Sequence, residues 1–257
     1  MSIHTDLSRL SLGEFAERFR NEMIPLSNKF SYFYAALPLT EDDIREYLEE
    51  PIAALPPDVV AALPQVYILL VPYLERGNGG KGQNKPVEQY ISVEKPPDNR
   101  FLLSGELIRE NEAILAFSMK DQEVADYHYQ FYRMIATLLS RYWSEEAQSQ
   151  YFSLLREELI SNVHGEVDED SWHFKQTLLR RQTNVRRETK VFREYAQHSF
   201  IDTMTLYLHG ICCDIDVETG PRQLPSRYLR RRLDLLQSLY PPPEGYAVFP
   251  EDLNNLK

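Results

Sequence analysis

Leu10, Leu12, Phe15, Phe19 and Met23 recur at helical spacing, and Ser11 with Glu14 is placed as a capping box, so an amphipathic helix is expected first. Thr40 followed by Glu-Asp-Asp predicts a second helix, N-capped by the threonine and stopped at Glu49-Glu50-Pro51. Pro56-Pro57 opens a short third helix that ends near Pro64. At Val66 the pattern changes. Val-Tyr-Ile-Leu-Leu-Val is β-branched, aromatic and continuously apolar, which suits a buried strand. Further strands are expected over Gln89 to Val93, Arg100 to Ile108 and Ala113 to Ser118, the last two joined by a turn at Arg109-Glu-Asn-Glu. Beyond Asp121 the spacing is helical again: Glu123 to Tyr142, Glu145 to Ile160, a helix from Asp168 into an arginine-rich stretch, Arg187 to His209 stopped by Gly210, and Arg227 to Leu239 between prolines.

This order predicts an α+β fold, mostly helical, in which a small and mainly antiparallel sheet over about residues 66–118 precedes a C-terminal helical bundle. The expected organisation is a single domain over residues 1–257, with N-terminal helices at 8–64, the sheet at 66–118, a helical part at 121–240 and a tail at 241–257.

Composition narrows the function classes. With 257 residues and 43% hydrophobic content, the chain can bury a sizeable core. Its formal net charge of −11 argues against general affinity for nucleic acid or an anionic membrane, since like charges repel at long range. No apolar run approaches the roughly 20 residues that span a bilayer, and Met1-Ser-Ile-His-Thr-Asp lacks the basic-then-apolar pattern of a secretory leader. The two cysteines, Cys212 and Cys213, are adjacent, so a bridge between them would be strained and close no useful loop. These features lead to the expectation of a soluble, cytoplasmic protein. Gly77-Asn-Gly-Gly-Lys-Gly-Gln-Asn-Lys has glycine and lysine but neither the spacing of a phosphate-binding loop nor a helix after it, and is expected to be a hairpin loop.

The segment Glu123-Val-Ala-Asp-Tyr-His-Tyr-Gln-Phe-Tyr, then Arg133-Met134-Ile135-Ala136-Thr137 and Leu138-Leu139, has the apolar rhythm of a zincin active-site helix. Farther on, Glu166-Val-Asp-Glu169-Asp170-Ser-Trp-His-Phe is similar to the Glu-x-x-x-Asp helix start that carries the third ligand in gluzincin-type peptidases. Over about residues 66 to 180 the chain thus resembles a minimal gluzincin-type domain without its His-Glu-x-x-His ligands. The resemblance puts Arg133 and Thr137 where two histidine ligands belong, Met134 where the general base belongs, and Glu166 or Glu169 where the third ligand belongs. Two imidazoles one turn apart hold zinc, and the glutamate between them polarises its water. Arg, Met and Thr do neither, so the resemblance implies a degenerate, non-catalytic domain with no cofactor, in which Arg133 pairs with Glu166 or Glu169. The residue reading without the resemblance is an amphipathic helix whose Tyr127, Phe131, Met134, Ile135 and Leu138 pack into a core, and an acidic helix start at Glu166 to Asp170.

Two other constellations carry chemistry. Glu194, His198, Asp202, Thr205 and His209 follow one another at spacings of four, four, three and four along one helix whose other positions are largely apolar. Buried imidazoles and carboxylates need partners, and zinc or another divalent metal would supply them, with His128, His164 or His173 joining from another helix. That reading makes the protein a metal-dependent hydrolase; an ion pair of Glu194 with His198 explains the spacing equally well. Arg180-Arg181, Arg186-Arg187, Arg227 and the run Arg230-Arg231-Arg232 gather positive charge near the C-terminus. Arginine forks grip phosphate, so a phosphate or nucleic-acid surface is the third reading, though no nucleic-acid-binding motif accompanies it. No Gly-x-Ser-x-Gly turn supports a serine nucleophile. The sequence therefore favours a binding or scaffolding domain that works through a protein partner.

Overall fold

The computed structural model of the chain describes residues 10–77, 88–180, 187–213 and 222–249. It is an α+β fold of helices with small mixed sheets and a helical C-terminal region. The chain divides into two compact units, Met1–Glu49 with Leu63–Gln130, and Glu50–Ala62 with Phe131–Lys257.

The first unit opens with helix α1, Leu12–Arg18, whose capping box forms as its sequence predicts: Ser11 N–H donates to Glu14 Oε2 at 2.9 Å and Glu14 N–H to Ser11 Oγ at 3.3 Å. Its apolar face, Leu12, Phe15 and Ala16, joins Phe19, Leu69, Val71, Leu74, Ile91, Ile114 and Ala116 in one buried cluster. A five-stranded sheet runs in the order β1 (Ile24–Pro25), β2 (Phe30–Tyr34), β3 (Gln65–Val71), β8 (Glu112–Ser118), β7 (Ser104–Ile108). A three-stranded sheet has β4 (Tyr73–Arg76) between β5 (Gln89–Ser92) and β6 (Phe101–Leu102). Four of these six described pairings are antiparallel. The two parallel ones flank β3 at the centre, where β3 and β8 are apolar and buried almost continuously, as parallel strands are when both faces are covered. Ser118 ties the sheets together: its hydroxyl accepts from Leu74 N–H at 2.8 Å and donates to the Leu102 carbonyl at 2.6 Å.

Several elements differ from expectation. The stretch 8–64, expected to be helical, contains β1 and β2, because the aromatic run Phe-Ser-Tyr-Phe-Tyr pairs in register with β3. The expected strand Arg100 to Ile108 breaks at Leu103 into β6 and β7, which join different sheets. Helix α2, Glu41–Ile44, has the expected Thr40 cap, but helical backbone continues past the predicted stop through a π-turn at Arg45–Glu49 into α3, Glu50–Ala53. A wide turn of that kind accommodates the ring and the missing N–H of Pro51. The glycine-lysine loop, at 78–87, lies outside the described residues.

The second unit holds α3, α4 (Pro57–Ala62), the part of α5 (Val124–Leu139) from Phe131 on, α6 (Glu145–Ile160), α7 (Glu169–Arg180), α8 (Lys190–Cys212) and α9 (Ser226–Leu239). Ser144 caps α6 and Thr189 caps α8, each through its hydroxyl. Helix α8 is buried on most sides, and Phe200 packs against Trp143 with ring centroids 4.3 Å apart. Gly210 does not end it; the helix runs on to Cys212 and closes with Cys213 N–H on the His209 carbonyl at 2.8 Å. Ahead of α7 the chain is clasped from the side, Glu166 N–H donating to the Arg222 carbonyl at 3.0 Å and Leu224 N–H to the Glu166 carbonyl at 2.9 Å. Among the described residues, no helix is long and apolar enough to cross a membrane.

Candidate functional site

Two groups of charged side chains in the second unit take in Arg133, Asp202, Glu166 and Arg232 of the residues singled out from the sequence. The first is centred on Arg133. Along α5, Phe131, Tyr132, Ile135, Ala136, Leu138 and Leu139 are buried, whereas Arg133, Met134 and Thr137 share a partly exposed stripe. Thr137 turns its hydroxyl back onto the Arg133 carbonyl at 2.7 Å. The Arg133 guanidinium reaches three carboxylates: Asp202 on α8 at 3.1 Å, Asp170 in the first turn of α7 at 2.7 Å, and Asp168 just before α7 at 3.5 Å. Two of these partners, Asp168 and Asp170, come from the acidic stretch expected to meet Arg133, but the expected pairing with Glu166 or Glu169 does not form, and the third, Asp202, comes from α8. Glu169 faces elsewhere, with His173 Nε2 at 3.4 Å and Arg222 at 3.9 Å.

Asp202 connects the three helices. One carboxylate oxygen takes Arg133, and the other accepts Ser171 N–H at 3.1 Å, so a side chain of α8 satisfies an amide at the N-terminus of α7. Burial pushes the Asp202 carboxyl above its ordinary value; Ser171 and Arg133 pull it down, and Asp168 pushes it up again. The folded chain then binds this proton more readily than the unfolded chain does, so the contribution of Asp202 to stability grows as pH falls through its raised pKa. Asp202→Asn keeps an acceptor for Ser171 and removes the buried charge. It is expected to leave stability at pH 7.5 equal or higher, and to remove that gain on acidification, in urea unfolding at pH 7.5 and pH 5. A large loss at pH 7.5 would contradict this account.

The second group surrounds Glu166. Arg232 on α9 lies fully buried and makes paired contacts: Nη2 donates to Glu158 Oε2 at 2.6 Å, and Nη1 to Glu166 Oε2 at 2.7 Å and to Ser199 Oγ at 2.9 Å. Lys175, also buried, is ion-paired with Glu166 Oε1 at 3.0 Å and donates to the Gly165 carbonyl at 2.8 Å. Tyr195 adds a short hydroxyl bond to Glu166. Burial alone would raise the Glu166 carboxyl, but Arg232, Lys175 and Tyr195 together hold it down at about 2. Burial raises the Tyr195 hydroxyl, and Glu166 beside it adds to the effect. Two cations and two carboxylates thus neutralise one another inside the second unit, each with hydrogen bonds. Glu166 spends both oxygens on these partners.

The residues proposed for a metal stand in separate settings. Glu194 is 3.9 Å from Lys190. The His198 ring stacks on Phe174 at 3.9 Å, Asp202 belongs to the Arg133 group, and His209 lies beside Tyr132 with ring centroids 5.8 Å apart. His164 meets the edge of Trp172. Among the described residues, no group of three or more His, Cys, Asp or Glu side chains is arranged to hold a metal ion.

Of the arginines read from the sequence as an anion surface, Arg230, Arg231 and Arg232 have protein partners. Arg230 donates to Asp234 at 2.9 Å and lies 3.4 Å over the Phe249 ring, Arg231 pairs with Glu157, and Arg232 is interior, out of reach of an external phosphate. Burial of Arg232 was missed in the sequence although a signal existed. It shares the apolar stripe of Leu229, Leu233 and Leu236, three residues from the first and four from the last. Arg181 and Arg186 lie outside the described residues. Compared with known proteins, the chain matches no family model, no curated protein and no solved structure.

Proposed function

We propose that the protein is a non-catalytic binding or scaffolding domain of zincin-like descent, acting through a protein partner. One observation carries this reading: at the position where the resemblance puts the first zinc ligand, a guanidinium stands bound to Asp202, Asp170 and Asp168. A positive charge there opposes a divalent cation electrostatically and already uses the nearby carboxylates. The neighbouring positions support the same reading, since Thr137 bonds to its own helix and Glu166 is committed to Arg232, Lys175 and Tyr195. Internally paired charge leaves no general acid or base with the perturbed, accessible character of a catalytic group at these positions.

Elemental analysis of tag-free protein, before and after dialysis against a weak chelator, tests the proposal. The expected result is no zinc, iron or manganese near one equivalent per chain, and no hydrolysis of peptide or ester substrates above buffer. Stoichiometric metal that disappears in His198→Ala would overturn it and favour a hydrolase built on α8.

A further inference from the structure

We draw no further inference here: the strongest candidate, the groove of about 230 Å³ in the first unit between the start of α1, β5 and β7, lined by Glu88 and Glu106 together with Leu12 and Leu107, rests on an acidic cluster with no second feature among the described residues to show what ligand would fill it.

Discussion

Replacing Arg232 by methionine is expected to destabilise the second unit by about 3–5 kcal/mol, the cost of breaking a buried ion pair on one side only. Methionine fills much of the space, so the loss comes from charge rather than from a cavity. Of Glu158 and Glu166, both fully buried, only Glu166 would keep a paired cation, Lys175, and a net negative charge would be left buried at Glu158. In urea the unfolding midpoint of the second unit should fall by more than about 1 M, given slopes of roughly 1–3 kcal/mol per molar. Adding Glu158→Gln to the same chain restores the balance of one cation to one carboxylate and should recover a substantial part of the loss. If the double variant is no more stable than Arg232→Met alone, charge balance is not what holds this cluster. Acid should act on the same group. Glu166 has its pKa lowered from an ordinary 4.5 to about 2, so its contribution is complete above pH 4.5 and is lost as pH falls toward 2, opposite in sign to Asp202.

Gly165→Ala is expected to cost roughly 2–4 kcal/mol through two mechanisms acting at one atom. Gly165 has φ of +83°, where an L side chain is strained. A Cβ there would also stand 2.1 Å from the Gln223 carbonyl oxygen and 2.8 Å from the Leu224 nitrogen, both backbone atoms of the clasping segment. Neither can yield as a flexible side chain can, so the clasp on Glu166 must open or shift. Hydrogen exchange of the Glu166 and Leu224 amides should therefore accelerate more than that of α6 amides such as Leu155. Equal acceleration throughout the unit would mean that the substitution weakens the fold globally rather than at the clasp. Alanine at Gly245, where φ is +87° and nothing lies within 4 Å of the added carbon, separates the strain from the clash.

Local signals carried most of the elements. The Ser11 and Glu14 box, the Thr40 cap and the apolar run at Val66 each act within a few residues, so they can be read one segment at a time. Where two local signals competed, tertiary pairing decided. The run Phe30–Tyr34 sits in a stretch whose caps and apolar spacing predict helices, and becomes a strand by pairing with β1 and β3. Leu103 carries no breaker residue, yet the chain changes sheets there because β6 and β7 find different partners. Gly210 looked like a stop and was carried through by α8, whose last turn is packed by Leu208 and Ile211.

Charge partners were the least legible. The polar stripe on α8 was visible and its burial at Asp202 could be anticipated, but the guanidinium that meets Asp202 lies 69 residues away. Arg232 meets Glu158 and Glu166 across 74 and 66 residues. By itself, the sequence determined the α+β class, the caps and the helices that line the second unit, because backbone hydrogen bonding and amphipathic periodicity are short-range. Only the tertiary structure decided that Arg133 holds three aspartates and that Arg232 is an interior ion, because the energy of a charge depends on what lies within a few ångströms of it and on whether water is excluded there.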